Sequence, residues 1–179
     1  MTLRLACWLL PLAIGSFCIG EEENYAKKTY PNKAGASLMD ALIVYGSLIN
    51  KSELEKGGFP LDSTRPVVVR GYKRVFCQEP SWRPDRGEQK AVLTVIGSKQ
   101  HWLNALLISG LNDGFLADLD KREKGYNRIK VASSNVRGYH RLPTAPQNIY
   151  THVGKADKQS EAILPNDSYL SVYLEGARQ

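Results

Sequence analysis

Cysteine is scarce, with three in 179 residues. So few cannot staple a small disulfide framework, and no Cys/Cys/His cluster has the spacing of zinc ligands. The histidines His101, His140 and His152 are scattered without partner spacing. They read as surface or internally satisfied positions, so no metal site is expected. No repeat and no low-complexity tract is visible, which excludes a solenoid and wholesale disorder. Acidic residues are the minority charge, 18 against 24 Lys plus Arg, for a net charge of +6. That excess suits an anionic ligand, but it is not the dense basic stripe of a nucleic-acid binder. With 42% hydrophobic and 23% charged residues, the chain has the makings of one domain with a real core.

The first 20 residues differ in composition from everything after them. Arg4 precedes the apolar run Leu5 to Ile14, which continues through Phe17 to Gly20, and the acidic triplet Glu21 to Glu23 follows. This is the layout of a secretory signal peptide over residues 1–20, too short and too interrupted by Pro11 to span a membrane comfortably. It predicts an exported chain, periplasmic or secreted, with no stable membrane span once the leader is removed. The alternative is a start at Met39 and a cytoplasmic protein. Residues 21–38 read as a linker, and residues 39–179 as the folded domain. Removal of the leader would take Cys7 and Cys18 with it and leave Cys77, in an apolar strand, as a buried structural thiol.

Ala41 to Tyr45 is a continuous apolar run of the buried-strand kind. A short helix is predicted over 51–56, capped by Asn50 and ended by Gly57-Gly58. Pro66 to Phe76 and Ala91 to Ile96 read as strands around a loop at 80–88. Trp102 to Ile108 is a further strand, although a buried helix fits its periodicity too. Asn112 opens a helix with Phe115, Leu116 and Leu119 on one face, ending at Gly125. Strands at 126–131 and 148–153 and a terminal helix at 169–178 complete the chain. Five or six strands, mostly neighbouring other strands, predict an α+β fold with a mainly antiparallel or mixed sheet.

Two local features carry chemistry. Asp118 and Asp120 have basic residues four positions on, Arg122 and Lys124, whereas Glu123 has Leu119 four positions before it. Phe115, Leu119 and Glu123 share one stripe. Either the helix frays before Arg122 and Glu123 is an ordinary exposed acid, or the stripe turns this carboxyl inward, where desolvation suits a general acid or base. The second feature is Tyr45-Gly46-Ser47-Leu48 at the end of the first strand. It is either a simple turn or an anion-binding concavity of consecutive N–H groups with the Ser47 hydroxyl added.

Val44 to Leu48, Gly71-Tyr-Lys-Arg-Val-Phe76, Ala91 to Val95, Arg122-Glu-Lys-Gly-Tyr-Asn-Arg128 and Tyr169 to Ala177 occur in an order that resembles the gamma-glutamylcyclotransferase-like family. The resemblance covers residues 40 to 177. It implies a compact mixed α/β fold around a small, roughly six-stranded barrel with flanking helices. It also implies that Glu123 is the catalytic acid/base, and that Tyr45, Gly46, Ser47 and Leu48 hold the α-amino and α-carboxylate end of a gamma-glutamyl group. Tyr126 is expected either to line that pocket, orienting the acid through its hydroxyl, or to be an aromatic core residue. Tyr72 and Arg74 are expected to be structural.

The family reaction is cyclisation of the gamma-glutamyl group to 5-oxoproline with release of an amino acid or amine, and it needs no cofactor. The partner implied is a small gamma-glutamyl substrate, not a nucleic acid: the basic residues of 121–130 read as a solvated face beside an anion pocket. The competing reading is a module on the same fold that binds a gamma-glutamyl or other anionic ligand without turning it over.

Overall fold

A computed structural model describes residues 39–80, 89–139 and 146–179. The expected leader and linker, His140 and most of the 80–88 loop lie outside the described residues. The sheet has seven strands: β1 (Asp40–Val44), β2 (Thr64–Gln78), β3 (Gln89–Leu111), β4 (Tyr126–Lys130), β5 (Val136–Gly138), β6 (Ile149–Gly154) and β7 (Leu164–Pro165). Three α-helices accompany it: α1 (Lys51–Lys56), α2 (Asp113–Arg122) and α3 (Asp167–Arg178). The order is β4-β6-β1-β3-β2-β5, with β7 joined to β3. β1 pairs in parallel with β6 and β7 in parallel with β3, and the remaining pairings are antiparallel. The α+β class with a mixed, mainly antiparallel sheet is therefore borne out.

Two expectations are corrected. The stretches 91–96 and 102–108 belong to one strand, because β2 and β3 form a single long hairpin paired from Thr64–Ile108 through to Gln78–Val92. The hairpin bends at Gly71, whose φ of +86° a side chain would resist, and the register slips there between Arg70 and Tyr72. The sheet is also not a closed barrel. Where the far end of the hairpin curls back over β4 and β6, side chains take the place of a strand ladder. Gly154 N–H donates to Thr94 Oγ1 (2.7 Å), and Gln78 Nε2 donates to the carbonyl of Gly125 (3.0 Å).

Every residue of β1 is buried, because the strand has core on both faces. Ala41, Ile43 and Tyr45 face the inside of the curl with Val67, Val69, Leu93, Val95 and Leu103. Leu42 and Val44 face the helices, meeting Leu54, Phe115, Leu116 and Leu119. Asparagine caps start all three helices: Asn50 accepts from Ser52 N–H, Asn112 from Phe115 N–H and Asn166 from Tyr169 N–H, at 2.9, 2.8 and 3.0 Å. Asn50 also donates through Nδ2 to the Val172 carbonyl (3.2 Å), fastening α3 to the start of α1. Cys77 is half-buried; desolvation raises its thiol pKa, with the negative charge of Glu161 adding.

Candidate active site

The two cores meet at the carboxyl end of β1, and a cavity opens there between the turn after β1 and the end of α2. Tyr45, Gly46, Ser47 and Leu48 line one side, Arg122, Glu123 and Tyr126 another, and Leu93, His152 and Tyr169 contribute as well. Its volume of about 80 Å³ exceeds by several-fold the ~10–15 Å³ that one water position needs, the scale of a small amino-acid-like ligand. The structure thus brings together all six residues singled out from the sequence.

Tyr45 continues β1 and is buried, with its hydroxyl donating to the carbonyl of His152 at 2.6 Å. Burial, with Tyr169 next, pushes its pKa far above the phenolic range. Arg74 Nε braces the Tyr45 carbonyl (3.1 Å), its Nη2 donates to the Asn104 carbonyl, and the guanidinium lies over the Tyr173 ring. Burial lowers the pKa of this arginine. Its place is that of a brace, as the structural reading of the strand expected.

The chain then turns at Gly46 into a single 3₁₀ turn, Ser47–Ile49, closed by Ile49 N–H to the Gly46 carbonyl at 3.1 Å. A Cβ on Gly46 would run into the hydroxyl of Tyr169. That hydroxyl also accepts the Ser47 N–H at 3.1 Å. The turn is therefore not the run of free amides expected from the sequence: one is taken by a side chain of α3. The amides of Gly46 and Leu48 make no hydrogen bond to the described residues.

Glu123 is the residue that ends α2. Its N–H donates to Leu119 (2.9 Å), its carbonyl accepts from Tyr126 N–H (2.9 Å), and its φ and ψ of −87° and 45° leave the helix. The helix thus stops at Arg122, but the stripe holds for one residue more and the Glu123 side chain is 16% exposed. It is not without an ion-pair partner, as its spacing had suggested, since Arg122 Nε lies 3.5 Å from Oε1. The pair expected between Asp120 and Lys124 is also replaced. Asp118 takes Lys121 at 2.8 Å, and Asp120 takes Arg128 at 3.2 Å and His152 at 3.1 Å. At Asp120 the two tertiary partners outcompete an exposed i, i+4 pair, which contributes only ~0.3–0.5 kcal/mol.

Tyr126 lines the cavity, but its hydroxyl donates to the Leu93 carbonyl (2.8 Å) and so does not orient Glu123. Burial first, and then the charges of Tyr45, Tyr169 and Glu123, raise its pKa strongly. Tyr169, His152 and Arg122 were missed from the sequence. Only Arg122 adjoins a residue already singled out, while α3 and β6 reach the cavity through sheet topology, which no local spacing reports. Among the described residues no group of three or more His, Cys, Asp or Glu could hold a metal ion. Among them, too, no helix is long and apolar enough to cross a membrane.

Solved structures share this arrangement of elements. A gamma-glutamyl cyclotransferase matches with a TM-score of 0.57 at 14% identity, over 78% of this chain and 79% of that one. The fold is that of the gamma-glutamyl cyclotransferases. A yeast gamma-glutamyl cyclotransferase specific to glutathione gives 0.56 at 14% identity, over 80% of this chain and 88% of that one. YkqA from Bacillus subtilis gives 0.58 at 18% identity, over 79% of this chain but 49% of that longer one. At such identities the likeness is one of fold. No family model and no curated protein sequence matches the chain. In this chain the turn after β1 and the end of α2 bound the cavity on two sides.

Proposed function

We propose that the chain is a gamma-glutamyl cyclotransferase that folds a gamma-glutamyl group onto itself, forming 5-oxoproline and releasing an amino acid or amine. The observation that carries this reading is the placement of the Glu123 carboxylate in one cavity with the Gly46–Leu48 turn. The substrate's α-carboxylate sits against the amides of Gly46 and Leu48, where the positive end of the short turn favours an anion. The α-ammonium gives a proton to Glu123 and the amine then attacks the γ-carbonyl. The protonated Glu123 returns a proton to the departing nitrogen. Tyr45, Tyr126 and Tyr169 hold the glutamyl chain bent, and constraint of this kind lifts effective concentrations to on the order of 10⁵ M or more.

The test is a screen of gamma-glutamyl peptides and gamma-glutamyl amines for 5-oxoproline release, with Glu123→Gln as control. Glu123→Gln should fold and bind but not turn over; turnover retained by that variant refutes the assignment. Binding without product across the whole panel, in the wild type, would make the chain a binding module on this fold instead. Mature N-terminal sequencing separately tests the further proposal that residues 1–20 are a removed export leader.

A further inference from the structure

The proton count of this reaction exceeds what one carboxylate holds at a time. An α-ammonium that becomes a lactam N–H loses two protons, and an amide nitrogen that leaves as an ammonium gains two. Beside Glu123 lies a second titratable side chain with no task in the scheme above. His152 of β6 lines the cavity and is 9% exposed. Its Nε2 is 3.1 Å from Asp120 Oδ1, and because a carboxylate only accepts, Nε2 carries the hydrogen. Nδ1 makes no hydrogen bond to the described residues, yet it is not one of the buried atoms sealed from solvent.

The carboxylate that holds the ring is itself held. Asp120 Oδ2 receives Arg128 Nη2 at 3.2 Å, and that guanidinium lies over the Tyr150 ring at 5.0 Å. The charged groups around His152 are Asp120, Arg122 and Glu123 from the end of α2 and Arg128 from β4. Tyr45 of β1 addresses only its backbone carbonyl. An imidazole in a cavity wall, with one nitrogen anchored by a carboxylate and the other without a hydrogen-bond partner among the described residues, is arranged to move protons.

We propose that His152 is the second proton carrier of the cavity, which rests on the cyclotransferase reading. Glu123 accepts one proton from the α-ammonium, and the freed electron pair forms the new C–N bond. As the old C–N bond breaks, its pair takes the Nδ1 proton of the imidazolium. The attacking nitrogen then gives its second proton back to Nδ1, and Glu123 gives its own to the departing amine. Two protons pass from one nitrogen to the other, and both carriers end as they began.

The experiment measures kcat and KM against pH for wild type, His152→Gln and Asp120→Asn with the best substrate of the screen. Loss of a positioned proton carrier lowers kcat by about 10²-fold or more, with KM nearly unchanged and the alkaline limb of the wild-type profile absent in His152→Gln. Asp120→Asn lowers kcat less and displaces that limb. A His152→Gln enzyme with wild-type kcat, or one whose kcat falls while the alkaline limb stays, overturns the inference. Should that variant fail to fold, an undisplaced limb in Asp120→Asn overturns it equally. A wild type that forms no 5-oxoproline removes the cyclotransferase reading and this role together; an active wild type with an indifferent His152 removes this role alone.

Discussion

Gly46 and Tyr169 make a double-mutant cycle whose outcome follows from geometry. Tyr169→Phe deletes the hydroxyl that accepts the Ser47 N–H, a part-buried hydrogen bond of net worth about 1 kcal/mol. Gly46→Ala drives a methyl group into that same hydroxyl, and overpacking of this kind costs roughly 1–3 kcal/mol. With the oxygen gone, the nearest atoms to the new Cβ are the ring carbon at 3.7 Å and Leu93 Cβ at 4.0 Å, both ordinary contacts. The double variant should therefore lose about 1 kcal/mol, where the single losses sum to about 3, a coupling of about 2 kcal/mol. Urea unfolding at 25 °C, with m-values checked for constancy, measures all four corners. Losses that add to within about 0.5 kcal/mol would refute the close approach of α3 to the turn.

Four other outcomes follow from single contacts. Asn112→Ala removes the cap of α2 and should cost about 1 kcal/mol in urea unfolding. Gln78→Leu removes one of two donors to the Gly125 carbonyl, leaving Lys155 N–H, and so should cost about 1 kcal/mol and lower kcat more than it raises KM because Gly125 belongs to the Glu123 turn. Lys121→Ala breaks an exposed pair with Asp118 and should change stability by less than about 0.5 kcal/mol. Tyr45 and Tyr126 have folded-state pKa values raised by burial, so above the ordinary tyrosine range the unfolded chain ionises while the fold keeps its protons. Stability then falls with rising pH, by up to about 1.4 kcal/mol per pH unit for each tyrosine. Alkaline unfolding followed by phenolate absorbance should show a shallower fall in Tyr126→Phe.

What was legible in the sequence was local. The apolar run at 41–45, the caps Asn50 and Asn112 and the stripe Phe115-Leu119-Glu123 each report a neighbour within a few residues, and each matches the structure. The continuity of β3 was hidden because Gly97 to His101 are polar, and pairing with β2 flanks them, Tyr72 with Gly97 and Arg70 with Trp102, while Ser98 to His101 bulge at the register slip. The partners of Asp120 were misread because helix spacing knows nothing of His152 and Arg128, which arrive from other strands. Tyr169 was invisible as a cavity residue for the same reason: its hydroxyl reaches across the fold to the Ser47 amide.

The amide of Asn50 serves two helices at once, its oxygen starting α1 and its nitrogen gripping α3. Since α3 carries Tyr169, a wall of the pocket is delivered by a helix that follows every strand of the sheet in the chain. Chains grow from the amino end, so the strands are synthesised before α3. A nascent molecule can thus expose its sheet and Glu123 first, yet it acquires a finished pocket only when α3 swings home against the turn after β1.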